Sequence, residues 1–298
     1  MAVTIMGQES EAVPNPFEDS NQPCTVSELR RGGEAEVLEY LAKRPIHTVF
    51  MATLIRDNGL VSSNNRGSFY GCRDTAGKLE GVALIGHATM LAACTDTVVA
   101  AFAHLASRSE NARLIRGERK SIDSFWKHYA EVGPKPRLVC RELMFEKTKA
   151  EPRVEPVPEL RLATSRDIEH VLAVNALMAF EEGGINPLQR DPTGFRLRTE
   201  RRIQQHRVWI WVHQGTPIFK ADIVGDTPEM IYLEGIYVNP QERLKGYGRR
   251  CLAQLCSRLL ERSQSICLTV NQLKANTVGF YVRAGFEFHS EYETIYLS

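Results

Sequence analysis

Apolar residues along this chain recur at two spacings, and the two alternate in a fixed order. In the second half, YLEGIYVNP and ICLTVNQ are near-continuous runs of branched and aromatic residues, which predict strands. Between them RRCLAQLCSRLLER places Leu252, Leu255, Cys256, Leu259 and Leu260 three and four apart, the spacing of one helix face. Upstream, SRDIEHVLAVNALMAFEE offers Ser165 or Asp167 as an N-cap, followed by Ile168, Val171, Leu172, Val174 and Met178 in helical register. TGFRLRTERRIQQ also reads as helix, and VWIWVHQG and TPIFKADIVGDTP read as strands joined by a turn at Gly215. A last helix is expected from Lys274 to Ala284, and the alternating aromatics of GFEFHSEYETIYL predict a closing strand or hairpin.

The first half follows the same order in weaker form. EAEVLEYLAKRPIHTVFMATLIRDNG is helical, GSFYGCRD and KLEGVALIGHATMLAAC are strand-like, and DTVVAAFAHLASR is helical. ARLIRGE then reads as strand, SIDSFWKHYAEV as helix and RLVCRELMFEK as strand. Between the halves, KTKAEPRVEPVPEL sets Pro152, Pro156 and Pro158 among charges, which denies both helix and central strand. The expected organisation is a disordered tail over 1–24, one domain over 25–150, a Pro-rich linker over 151–158 and a second domain over 159–298. The repeated order implies an α+β fold, a sheet with helices, arisen by duplication.

Composition narrows the partners. With 43% hydrophobic and 24% charged residues the chain is ordinary globular material, not a collagen-like, disordered or membrane sequence. A formal net charge of +1 supplies no global field for nucleic acid or anionic membrane, so nucleic acid is not expected as a partner and RGERKS at 116–121 reads as a solvated turn. Seven scattered cysteines, with no C-x-x-C pair and no histidine at ligand spacing, indicate reduced thiols in a cytoplasmic protein and no metal site. MAVTIMGQESEAVPNPFEDS has no basic n-region or apolar stretch of a leader peptide, and no apolar run is long enough to span a bilayer.

One stretch carries a chemical signal. ERLKGYGRR, residues 242–250, sets two glycines among basic side chains directly between a predicted strand and a predicted helix. Phosphate needs backbone N–H donors, a positive helix end and no Cβ in the way, and this arrangement offers all three. It lacks the G-K-[ST] ending of a nucleoside-triphosphate loop, and Cys251 stands where a dinucleotide fingerprint has its third glycine. The competing reading is a plain strand-to-helix turn with solvated arginines.

R-L-K-G-Y-G, from Arg243 to Gly248, resembles the R/Q-x-x-G-x-G/A acyl-CoA pyrophosphate motif of the GNAT superfamily of N-acyltransferases. It follows YLEGIYVNP, precedes an amphipathic helix, and is followed by LTVNQ and by FYVRAGF at 280–286, the order of elements in that family. The resemblance covers residues from about 160 to 298. It implies tandem GNAT-like domains, each a mixed, mostly antiparallel sheet flanked by helices and with two central strands splayed apart. The first half would be a degenerate copy, as in mycothiol-synthase-like members, because Thr95-Asp96-Thr97 stands where its phosphate loop would belong and Asp96 repels phosphate.

Carried onto this sequence, the resemblance implies acetyl-CoA as acyl donor, cradled by the backbone of Leu244, Lys245, Gly246, Tyr247, Gly248 and Arg249, with Arg243 and Arg249 beside the pyrophosphate. Ile236, Tyr237 and Val238 would pair with the pantetheine arm as a strand pairs. Many members carry an asparagine seven residues before the last-helix tyrosine; here that position is Lys274, so Asn271 and Lys274 are the expected cofactor contacts and Asn276 is not. Transfer to an amine needs a base, which nominates Glu234, and an acid toward the departing thiolate, which nominates Tyr281. Their structural alternatives are a surface glutamate paired with an arginine and a core tyrosine. Glu181 and Glu182 would attract an ammonium-bearing acceptor or would simply be solvated, and Trp209 and Trp211 are expected in the core. The function implied is direct transfer of an acetyl group to a primary amine; the alternative is an acyl-CoA-binding sensor or scaffold without catalysis.

Overall fold

The computed structural model describes residues 24–93 and 95–298, so the expected N-terminal tail lies outside the described residues except for Cys24. The first half runs β1 (Thr25–Glu28), α1 (Glu34–Leu41), α2 (Pro45–Asn58), β2 (Gly67–Arg73), β3 (Leu79–Gly86), β4 (Ala88–Ala93), α3 (Asp96–Ala106), β5 (Leu114–Glu118), α4 (Arg119–Tyr129) and β6 (Pro136–Lys147). The second runs β7 (Arg161–Leu162), α5 (Ile168–Gly183), α6 (Pro187–Arg190), α7 (Pro192–Gln204), β8 (Val208–His213), β9 (Thr216–Asp226), β10 (Met230–Val238), α8 (Tyr247–Leu260), β11 (Ser265–Asn271), α9 (Ala275–Arg283) and β12 (Glu287–Leu297).

Local chemistry explains where the sequence pattern was too coarse. The helical run through residues 34–59 is two helices, because Pro45 has no N–H to donate and holds Arg44 at φ −137, outside the helical region. The apolar run through residues 78–94 turns back at Gly86 and His87, giving the antiparallel pair β3 and β4. The closing segment is one strand, β12, and not a hairpin. The Pro-rich segment carries no helix or strand, and its end is pinned to α8, where the Gln254 side chain accepts from the Val157 N–H at 2.6 Å and donates to its carbonyl at 3.1 Å.

The twelve strands of the described residues form one sheet in the order β1-β2-β3-β4-β5-β12-β6-β11-β10-β9-β8-β7. Among the described residues the only parallel pairs are β4 with β5 and β10 with β11, so the fold is a mixed, mostly antiparallel α+β sheet with helices on its faces. Each half repeats the same sequence of strands up to its parallel pair, and then the two final strands change places. The first half's β6 pairs with β11 of the second half, and β12 of the second half pairs with β5 of the first. The exchanged strands pair with each other between them.

The cores follow the exchange. Phe145 of β6 is buried among residues of β9, β10, α8 and β11, whereas Ile295 and Leu297 of β12 are buried among residues of α3, β5 and α4. Both parallel pairs also separate after a few residues. Pairing ends at Tyr232 and Cys267 between β10 and β11, and at Thr89 and Ile115 between β4 and β5, leaving a wedge in each half.

Because Ile295 is 2% exposed in the first half's core, Ile295→Ala is expected to destabilise the protein by about 2–5 kcal/mol. Unfolding in urea should remain a single transition seen alike by tryptophan fluorescence and circular dichroism. Two separated transitions, with the second half unaffected, would show that the exchanged strands do not couple the halves.

Candidate active site

The segment from β10 to α8 is shaped by three backbone constraints. Asn239 caps a short turn at Pro240–Glu242 by accepting from the Gln241 N–H at 3.0 Å. Leu244 then adopts φ 64 with its side chain fully in solvent, and Gly246 adopts φ 84 at the start of α8. A Cβ on Gly248 would lie 2.8 Å from Val238 Cγ2, so a glycine here lets the first turn of α8 sit against the end of β10. From Leu244 to Arg249 no backbone N–H donates to an acceptor among the described residues, and the first such bond beyond is Arg250 N–H to the Gly246 carbonyl at 3.2 Å. These consecutive free donors open at a helix N-terminus, where the helix dipole adds positive potential. Of the surrounding cations, Lys245 is held by Glu242 at 2.9 Å and Arg250 by Glu155 at 2.9 Å. Arg243 instead donates to the Val238 carbonyl at 3.3 Å and meets no carboxylate within ion-pair distance among the described residues.

Between Glu234 and Tyr237 the register against β9 slips by one residue, a bulge made possible by Gly235 at φ 60. A Cβ there would lie 2.7 Å from the Lys220 ammonium. Lys220 is completely buried, paired with Asp222 at 2.7 Å, bonded to Asn175, and donates to the Gly235 carbonyl at 3.3 Å. In a planar trans peptide the N–H points opposite to the C=O, so fixing the Gly235 carbonyl turns the Ile236 N–H away from Lys220.

Glu234 stands before this bulge with its side chain 45% exposed, 3.2 Å from Arg116 of β5. Arg116 comes from the first half of the chain. It also bonds Thr269 Oγ1 at 2.6 Å, the Tyr232 hydroxyl, and Glu142 of β6 at 3.4 Å. Glu142 is held in turn by the hydroxyls of Thr269 at 2.9 Å and Thr294 at 2.6 Å. Burial disfavours the guanidinium charge, but Tyr232, Glu142 and Glu234 outweigh it and hold the Arg116 pKa well above the usual arginine value. At the mouth of the same cleft, Glu182 from the end of α5 keeps contact with solvent, and its carboxyl is pushed up to about 7 by the protein packed around it and then by the facing charge of Glu234.

The structure brings Glu234, the Ile236–Val238 segment and the glycine loop onto one continuous stretch beside the wedge. Glu234 has the arginine partner foreseen as its structural alternative. Tyr281 is 7% exposed, edge-on to Phe280 and Phe286 in the core, and burial raises its hydroxyl pKa, with Glu182 adding to the effect. Asn271 ends β11 and caps the next turn by accepting from the Leu273 N–H at 2.9 Å, and Lys274 is the residue before α9. Trp209 is buried and Trp211 packs edge-on against Tyr247 of the loop at 4.9 Å. Arg116, Glu142, Lys220 and Thr269 were missed: three lie on strands whose partners are set by the exchange, and a lysine in an apolar strand run gives no sign that it is buried. In the first half, the equivalent helix start is closed, since Thr95 accepts from the Val98 N–H at 3.4 Å and Asp96 is bound by Ser124 and by His128 at 3.1 Å.

Residues 177–286, which include the bulge, the loop and α9, match the Acetyltransferase (GNAT) family. No curated protein matches the chain. Among solved structures, a tandem GNAT protein from the clavulanic acid biosynthesis pathway superposes with a TM-score of 0.58 at 11% identity, over 92% of this chain and 98% of that one. A Drosophila protein gives 0.64 at 11% identity, over 92% and 98%. An acetyltransferase from the GNAT family from Colwellia psychrerythraea gives 0.53 at 11% identity, over 92% and 100%. The chain thus carries the tandem GNAT fold, and the segment similar to the acetyltransferase family lies in the second half. Among the described residues no group of His, Cys, Asp or Glu is placed to hold a metal, and no helix is long and apolar enough to cross a membrane.

Removing Arg116 would leave Glu142 with two hydroxyls and no cation. Arg116→Met is therefore expected to cost about 3–5 kcal/mol in urea denaturation. A loss under about 1 kcal/mol, the size of an ordinary surface ion pair, would show the cluster to be solvated.

Proposed function

We propose that the protein is an N-acetyltransferase that moves an acetyl group from acetyl-CoA to a primary amine by direct transfer in a ternary complex. The observation that carries this reading is the run of free backbone donors from Leu244 to Arg249 at the start of α8, next to a strand whose outer edge is unpaired. The loop suits the pyrophosphate of CoA, and Ile236, Tyr237 and Val238 suit its pantetheine amides as a strand edge does. Asn271 and Lys274 face the arm from the other wall of the wedge. The closed helix start at Thr95 and Asp96 supports donor binding in the 159–298 half alone.

The donor supplies an activated thioester; the chain supplies the proton transfers. The acceptor nitrogen must lose a proton, attack the carbonyl carbon and displace the thiolate, which takes up a proton. Glu182, poised at about 7, is the group whose protonation state changes near neutrality. Glu234, fixed by Arg116, supplies the negative charge that keeps Glu182 basic and, with Glu142, draws an ammonium into the cleft. The Ile236 N–H serves the oxyanion, and Tyr281, whose hydroxyl stays protonated, serves the thiolate. An acyl-CoA sensor without catalysis would bind the donor at the same loop and transfer acetyl to no amine.

In calorimetry, acetyl-CoA is expected to bind the wild type and not a Gly246→Asp, Gly248→Asp double variant; equal binding by both would remove the loop from the site. Because a base must be ionised to act, acetyl transfer to a panel of primary amines should rise with pH through about 7 and level above it. Glu182→Gln should lower the rate about 10²–10⁴-fold and flatten that rise. An unchanged profile would assign the proton transfer elsewhere.

A further inference from the structure

Arg198, Arg201 and Arg202 on helix α7, with Gln205 at its C-cap, fall at the spacing of a single helix face, and that face lines a cavity of about 440 Å³ between the two halves of the chain. A covered helix face is ordinarily apolar. Here it is cationic, and it looks across to Asn58 of α2 and to Asn65, Arg66 and His87 from the segments flanking β2 and β3.

The charges around this cavity are not balanced. Arg198 is paired with Asp191 at 3.0 Å, Arg202 with Asp222 at 2.9 Å, and Arg207 with Asp57 and with Asp226 at 3.4 Å. Arg66 and Arg201 have no carboxylate within ion-pair distance among the described residues: Arg201 bonds the Asn58 side chain, and Arg66 lies 2.9 Å from His87 Nδ1. Asn58 donates to Asn65 at 2.8 Å, which joins the two arginines' surroundings into one polar wall. The same field acts on His87, whose pKa is held down to about 4 by burial first and then by Arg66, Arg198, Arg113 and Arg190.

We propose that this cavity is an anion site, built jointly by Arg66 of the first half and Arg201 of the second, for the phosphate group of a small molecule. Two guanidinium forks with side-chain amides beside them fit the tetrahedral oxygens of a phosphate better than a single planar carboxylate. The volume admits a molecule of metabolite size. The site is independent of the glycine loop and does not rest on the acyl-transfer reading. It lies on a separate surface, lined by none of the residues from Leu244 to Arg249.

The test is calorimetric titration of inorganic pyrophosphate into the Gly246→Asp, Gly248→Asp protein, in which the glycine loop is closed to anions. Binding is expected there and should weaken at least about tenfold when Arg66→Gln and Arg201→Gln are added. Neither arginine holds an ion pair, and glutamine retains a donor, so the thermal midpoint without ligand should not move. Absence of binding in the loop variant, or binding that survives the loss of both arginines, would overturn the proposal. Citrate binding as tightly as pyrophosphate would overturn the phosphate assignment, and a single-stranded RNA binding more tightly through the same arginines would overturn the small-molecule one.

Discussion

The pairing of β6 with β12 is the constraint on which the rest of this structure depends. Each strand ends one half of the chain and is built into the sheet of the other, so neither half has a complete core by itself. Without β12, both β5 and β6 would present open edges, a state that favours wrong pairing and aggregation. Helix α2 strengthens the same union: Val49 packs with Val224, Met230 and Tyr232 of the second half, and Thr53 accepts from the Asp226 N–H at 2.6 Å. The first half is therefore a structural partner of the second, whatever its own ligands.

The exchange also explains how a residue of the first half enters the cleft of the second. Arg116 reaches Glu234, Glu142 and Thr269 because only β12 and β6 separate β5 from β11 and β10 in the one sheet. A cation fixed this deeply holds two carboxylates in place, and a third, Glu182, is left to titrate near neutrality. On the far side of Lys220 and Asp222, Arg202 belongs to the basic cavity between the halves. A net charge of +1 thus conceals an acidic cleft and a basic one, each with a strong local field.

Much of this was legible in the sequence because it is local. The glycine loop could be read because φ 64 and φ 84 at Leu244 and Gly246, and the tight fit of Gly248, are demands made within a few residues. Helices α5 and α8 could be read because one face of each is apolar at regular spacing. What stayed hidden is non-local. Nothing in RLVCRELMFEK or EYETIYL announces which half each strand will join, since an exposed and an exchanged strand share the same alternation. Arg116, in RGERKS, read as a solvated turn residue because its partners other than Glu142 are more than a hundred residues away. Glu182 read as a solvated helix-end glutamate before it read as an acceptor contact, and only the positions of Glu234 and Glu142 single it out.

The most direct measurement is amide hydrogen exchange with and without acetyl-CoA on the full-length protein. The account predicts new protection concentrated at Ile236–Val238 and Leu244–Arg249, with none at the helix start after Thr95. Protection at Thr95–Val98 instead, or no change along β10 and the start of α8, would contradict the claim that the second half alone holds the acyl donor in a site the first half completes.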